Sequence, residues 1–169
     1  MGTLTVQTLQ APTSGANANT ILVPSGQTVH AAGSVVQVQQ TYVAATSVIT
    51  ISSASLTASG IQRTITPKFS DSIIWVRLNI VMQDGITAPS VFGKMYVNGS
   101  AMTGAGDYHL GYSNPSLARY VPFTFDAQYQ VTSTSQLTFE PYFRGGDATS
   151  FRVAHNDSSY CLTCMEIAQ

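Results

Sequence analysis

The chain has 169 residues with seven basic and eight acidic side chains, a net charge of −1 and a charged fraction of 9%, against a usual share of roughly a quarter. That length is one ordinary domain with room for a small appendage, and so few, scattered basic residues exclude an electrostatic footprint for nucleic acid or anionic lipid. No run approaches the ~18 apolar residues of a membrane span, so no membrane insertion is expected.

Ser, Thr and Gln stand where charge would be, among the β-branched Val, Ile and Thr that suit a pleated sheet. Such a composition reads as an all-β protein built to be displayed and to associate, not as an enzyme. The opening Met1-Gly2-Thr3-Leu4-Thr5-Val6 lacks the basic and apolar regions of a secretory signal, and Val6 breaks the myristoylation pattern. The chain is therefore expected to fold first in a reducing cytoplasm, where Cys161 and Cys164 need not be bridged.

Residues 1–33 form a low-complexity opening. Leu4, Val6 and Leu9 lead into a polar linker at 13–19, and Ile21, Leu22 and Val23 are then stopped by Pro24-Ser25-Gly26. Two short apolar runs cannot bury themselves, so this segment is read as an attachment piece that leans on another surface. From residue 34 alternation takes over. Strands are expected from Ser34 to Gln40, Ser47 to Ile51 and Ile61 to Thr66. The most apolar strand runs from Ile73 to Met82, with Ile74, Val76, Leu78, Ile80 and Met82 on a core face. Its other face, with Trp75 and Arg77 among Ile73, Asn79 and Val81, has the mixed composition of a subunit interface.

Val91 to Val97, then Asn98-Gly99, then Ser100 to Met102 predicts a hairpin, because Asn-Gly accepts the positive φ values of a type I′ turn. Residues 104–119 read as a loop. Strands are expected again at Tyr120–Phe125, Gln136–Phe143, Ser150–Ala154 and Ser159–Ile167. About eight strands, short turns and no helical spacer point to an antiparallel β-sandwich, jelly-roll-like, over 34–169.

The candidate chemical groups are weak. Cys161-Leu162-Thr163-Cys164 has C-x-x-C spacing, but on a strand rather than at a helix start, so two structural thiols are expected. His30, His109 and His155 have no metal-pair spacing, and no metal or cofactor is expected. Asp126 and Glu140 are the only acids worth weighing as a glycosidase pair, on slight grounds. No nucleophile elbow and no phosphate-binding glycine motif occurs. In the 104–119 loop, Asp107, Tyr108, His109 and Tyr112 are the candidate contacts for a host-surface glycan.

Four segments carry a family resemblance. They are the opening Met1–Val6 with Thr20–Gly26, the run Val35–Thr41, the stretch Thr57–Pro67 followed by Phe69-Ser70-Asp71-Ser72, and the ending Leu162-Thr163-Cys164-Met165-Glu166-Ile167-Ala168. Together they resemble the small tail-fibre-like virion surface proteins of tailed, notably aquatic, bacteriophages. Residues 83–158 match them only in style. The resemblance implies a homotrimer with an N-terminal attachment segment and a β-sandwich head, and no catalytic residues.

The expectation is thus a non-enzymatic virion protein, assembled in the host cytoplasm. Leu4, Val6, Leu9, Ile21 and Val23 would dock it to another virion protein of the tail or capsid. The self-contact would fall at Trp75 and Arg77, and the 104–119 loop would face a host glycan. A capsid decoration protein is the alternative, and a glycan-binding lectin a remote one. A trimer would gain avidity for surface sugars even from weak sites.

Overall fold

The computed structural model describes residues 13–15, 31–44, 48–83, 90–103, 108–112 (backbone only), 120–146, 150–154 and 159–169. The chain divides after His30. Of the first unit only 13–15 are described, so Leu4, Val6, Leu9, Ile21 and Val23 lie outside the described residues. Every element below belongs to the unit Ala31–Gln169.

That unit is all-β, with no helix among the described residues. Its strands are β1 (Val35–Val43), β2 (Ile49–Ile51), β3 (Thr57–Ala58), β4 (Arg63–Ile65), β5 (Ile73–Gln83) and β6 (Ser90–Val97). They continue with β7 (Ser100–Ala101), β8 (Tyr108–Tyr112), β9 (Tyr120–Gln130), β10 (Leu137–Gly145), β11 (Phe151–Val153) and β12 (Tyr160–Ile167). All pairings are antiparallel. The first sheet runs β1-β12-β5-β11-β2 with β9 also on β5, and the second runs β3-β10-β6-β7 with β4 on β10 and β8 on β6. The two sheets form the expected antiparallel sandwich.

Strand β5 is the spine of the first sheet. Strand β9 pairs with it from Ile73 to Gln83, while β12 takes the other side at Ile73–Asn79 and β11 at Met82 and Gln83. The alternation read from the sequence is obeyed: Ile74, Val76, Leu78, Ile80 and Met82 are all buried. They meet Val91, Met95, Val97, Phe139 and Phe143 of the second sheet in one core. Tyr129 crosses the gap to place its ring edge-on to Phe139 at 5.8 Å. The Asn98-Gly99 hairpin is also as expected, with φ of 48° and 76° and Val97 opposite Ser100.

Three expectations need correction. The 104–119 stretch is not wholly a loop, because Tyr108–Tyr112 is strand β8, paired to the free side of β6. Strand β9 does not stop at Phe125 but continues to Gln130. Asp126 is tolerated within it because Arg77 lies directly opposite on β5. The described strands number twelve rather than about eight, and β3 and β8 are the two with no counterpart among the expected stretches.

At the pole where this unit begins, Gly33 donates its N–H to the Ala168 carbonyl (2.8 Å) and Ala168 donates to Ser34 (3.0 Å). The start of the unit is thus stitched to the end of β12.

Candidate functional site

The outer face of the first sheet is ordered in rows across β1, β12, β5 and β9. The first row is Val38, Met165, Trp75 and Gln128; the next is Gln40, Thr163, Arg77 and Asp126; the third is Tyr42, Cys161, Asn79 and Thr124. Val38 is 52% exposed and Tyr42 65%, while Trp75 and Met165 are half-buried. Side chains at directly opposite positions interact, and three polar pairs bond across strands here. Gln40 donates to Thr163 Oγ1 (3.1 Å), Thr124 to Asn79 Oδ1 (2.8 Å), and Arg77 to both carboxylate oxygens of Asp126 (2.7 and 3.1 Å).

The Arg77 guanidinium also lies 4.8 Å from the Trp75 ring centroid. Its hydrogen bond to Asp126, with that group's charge, pushes its pKa above the ordinary value. The two residues singled out as an interface, Trp75 and Arg77, are therefore in contact at the middle of this face. Trp75 belongs to the largely apolar row and Arg77 to the polar row beside it.

The outer face of the second sheet is different in kind. Phe92, Lys94 and Tyr96 of β6 stand opposite Arg144, Tyr142 and Glu140 of β10. Tyr96 and Tyr142 stack diagonally, with ring centroids 3.8 Å apart and planes 14° from parallel. The Arg144 guanidinium lies 4.0 Å over the Phe92 ring. On β8, His109 holds the register position opposite Phe92, Tyr108 that opposite Gly93, and Tyr112 that opposite Ser90. Asp107 is outside the described residues, as are 147–149 and two of the histidines, His30 and His155.

Glu140 is committed elsewhere: its oxygens accept from the Gly60 N–H (2.7 Å) and Gln62 Nε2 (2.8 Å). Asp126 and Glu140 thus sit on different sheets, each held by its own partners, and do not converge as an acid pair. Among the described residues no cluster of three His, Cys, Asp or Glu stands close enough to hold a metal.

Both thiols are free, with Cys161 half-buried on the outer face and Cys164 buried inside. Burial pushes the Cys164 thiol up to about 12, against a smaller opposing pull from Arg63. A thiol so held is not a thiolate near neutrality, which fits the structural role expected of it.

Sequence reasoning missed the most elaborate polar site. Glu166 is fully buried and collects hydrogen bonds from Gln37 Nε2 (2.6 Å), the Lys68 N–H (2.8 and 2.9 Å to its two oxygens), the Phe69 N–H (3.0 Å) and Ser72 Oγ (2.8 Å). Burial alone would raise its pKa, but these donors outweigh it and hold the carboxyl below the ordinary value. The same edge is sealed by Gln37 to the Thr66 carbonyl (2.7 Å), Thr41 to the Gln62 carbonyl (3.0 Å) and Arg63 to Gln39. The available signal was the placement of Glu166 on the inward face of an alternating strand between Cys164 and Ala168. Two of the segments that carry the family resemblance, 67–72 and 162–168, meet at this carboxylate.

No known family and no curated protein matches the chain. Among solved structures it is similar to the EclA C-terminal domain, a sugar-binding protein. The identity is 12%, with 89% of this chain and 88% of that one covered and a TM-score of 0.37. It is also similar to dimeric latent PorU from Porphyromonas gingivalis, at 7% identity and a TM-score of 0.33, over 90% of this chain and 15% of that one. Both likenesses are distant, and neither bears on what this chain binds.

Proposed function

We propose that this chain is a non-enzymatic structural protein of a tailed-phage virion, a homotrimer displayed on the particle and docked to a tail or capsid protein through residues 1–33. The observation that carries the self-association is the outer face of the first sheet. On it Arg77 and Asp126 neutralise each other, while Gln40 bonds Thr163, Thr124 bonds Asn79 and Arg152 bonds Gln83. Covering such a face strands few polar groups, while Val38, Met165 and Trp75 gain from leaving water. A closed threefold ring requires this face to pack on a different surface of the next copy, a heterologous contact.

Light scattering of the full chain tests the assembly: the expected mass is that of three 18.0 kDa copies. Met165→Asp should reduce it to one copy without unfolding the chain. A monomeric parent, or a dimer, would sink the trimer. Immunogold labelling of intact virions with antibody against residues 34–169 tests the place. Gold on the tail supports a fibre, gold over the head a decoration protein, and no gold on the particle overturns the virion reading.

A further inference from the structure

We propose that β1 is a separable strap, which opens from the sandwich as a unit while the strands behind it stay folded, and that contact with a second copy holds it shut. The opening is a property of the single chain. Its closure by a second copy rests on the self-association proposed above.

The strand is built inside out. Across the ladder to β12, Gln37, Gln39 and Thr41 stand opposite the buried Glu166, Cys164 and Leu162, so the inward side of β1 is polar. Val38 and Tyr42 point the other way. A register shift between Val35 and Gln37 turns Val35 to the same outer side, opposite Ile167. Val35, Val38 and Tyr42 are 56%, 52% and 65% exposed. No residue of β1 belongs to the buried core, whereas β12 beside it contributes Leu162 and Cys164. Burial of apolar surface is the main force that holds a strand in a fold. On opening, β1 forfeits little of its own, and the loss falls mainly on the two core residues it stands opposite.

What holds β1 in place is hydrogen bonding. Besides the ladder, Gln37 donates to the Thr66 carbonyl (2.7 Å) and to Glu166 (2.6 Å), Thr41 to the Gln62 carbonyl (3.0 Å), and Arg63 to Gln39. Each of these is exchanged for a bond to water when the strand lifts, so each contributes little net. Arg63 Nε is buried with no hydrogen-bond partner among the described residues, and opening wets it. The body behind is tied without β1. Strand β12 keeps its own ladder to β5 from Cys161 to Ile167, and Glu166 keeps its bonds from Lys68, Phe69 and Ser72. A strand held mainly by exchangeable bonds, on a body tied independently of it, opens locally at less cost than global unfolding.

A second copy supplies the hold that β1 lacks. Val38 is continuous with Met165 and Trp75 on the outer face, and Tyr42 stands beside Cys161. A copy seated on that face covers β1 and β12 together and removes these apolar side chains from water. Its full contact exists only while β1 is in place, so binding shifts the strand towards the closed state. The occupant suited to the face is the chain itself. The Arg77–Asp126 pair is internally neutralised, and a copy with seven basic and eight acidic residues in 169 brings little charge to leave unmatched there.

The test is amide hydrogen exchange of the full chain by NMR at two protein concentrations, one below and one above the association that light scattering detects. At the lower one, the β1 amides that donate to β12 and the β12 amides that donate to β1 should share one opening constant. It should exceed that of the amides joining β5 to β9 by about a hundredfold or more. At the higher one the same amides should slow as the assembled fraction grows. Tyr42→Cys supplies a lock, because Tyr42 stands opposite Cys161 at a Cα separation of about 4.5–5.5 Å, within reach of a disulfide. Oxidised, this variant should exchange at β1 as slowly as at β5 and β9; reduced, it should match the parent. Exchange of β1 only with the whole sandwich, a spread of unrelated rates along it, or an oxidised variant that opens like the reduced one would overturn the strap. Exchange that stays fast in the assembled chain would overturn closure by a second copy and leave the trimer standing. A chain that is monomeric at every concentration overturns that closure together with the trimer, and the common opening is decided by the exchange alone.

Discussion

Replacing Glu166 by Gln changes one oxygen and one charge at the centre of five hydrogen bonds. Oε1 accepts from Lys68, Phe69 and Ser72, while Oε2 accepts from Gln37 and Lys68. The least costly fit keeps the amide oxygen at the Oε1 position, which sets the new NH2 against Gln37 Nε2 and against the Lys68 N–H, of which the second still has Oε1 to bond. Gln37 cannot answer by turning its own amide, because that would face its oxygen to the Thr66 carbonyl it now donates to at 2.7 Å.

Leaving the Gln37 donor unmatched there costs about 1–3 kcal/mol, and the bonds that remain lose charge assistance. Relief of the buried charge offsets part of this, leaving a net loss of about 3 kcal/mol for Glu166→Gln. In a domain of this size that lowers Tm by roughly 6–12 °C. Urea unfolding at fixed protein concentration, followed by the fluorescence of the single tryptophan, Trp75, measures it directly. A loss below ~0.5 kcal/mol would refute the claim that this carboxylate braces the fold.

The pH dependence supplies a second readout. The folded-state pKa of Glu166 is depressed, so on acidification the unfolded chain takes up this proton first. The stabilisation is fully present above the ordinary carboxylate value of about 4.3 and is lost as pH falls through the folded value. The stability difference between parent and Glu166→Gln should be flat near neutrality and shrink below pH ~5. A difference that stays constant into the acid range would assign the effect to packing instead.

Thiol titration of the native protein should label Cys161 well ahead of Cys164, whose thiol burial has pushed up to about 12; equal, rapid labelling of both would contradict the buried position. Gly99→Ala forces a side chain into φ of +76° at the hairpin turn and should cost about 1–2 kcal/mol in urea unfolding; a neutral result would mean that the turn relaxes to another type. Phe139→Ala empties the fully buried ring position beside Tyr129 and should cost about 3–5 kcal/mol; a loss below ~1 kcal/mol would mean the core collapses onto the gap.

The parts of this fold legible in the sequence are those where one local rule decides the answer. Ile74, Val76, Leu78, Ile80 and Met82 keep period two from 74 to 82, and Asn98-Gly99 fits one turn type. Strand β8 was not legible, because Tyr108-His109-Leu110-Gly111-Tyr112 alternates nothing clearly and owes its conformation to the ladder it joins on β6. The end of β9 was hidden for a related reason. An aspartate disfavours a strand until its partner is known, and Arg77 is 49 residues away in sequence.

The same limit applies to the sites. Trp75 and Arg77 stood out by composition and prove to touch. Glu166 did not stand out, since a glutamate in a terminal strand is ordinarily a solvated residue. Only the loop at 67–72, folded back on it from about a hundred residues earlier, makes it a buried hub. The Tyr96–Tyr142 stack of the second sheet was likewise invisible, because the two become neighbours only through the β6–β10 register.

The joining of Gly33 and Ser34 to Ala168 gives the head a mechanical direction. Strands β1 and β12 are antiparallel from Val35 opposite Ile167 to Val43 opposite Tyr160. A force that separates residues 34 and 168 therefore meets the rungs of this ladder one after another, as a zip. A force pulling the same strands lengthwise past each other would load all the rungs together. The head should then resist drag along the axis of these strands far better than a peeling load at its stitched pole. If residues 1–33 tether the chain to a particle as proposed, the direction of that pull decides which of the two loads it meets.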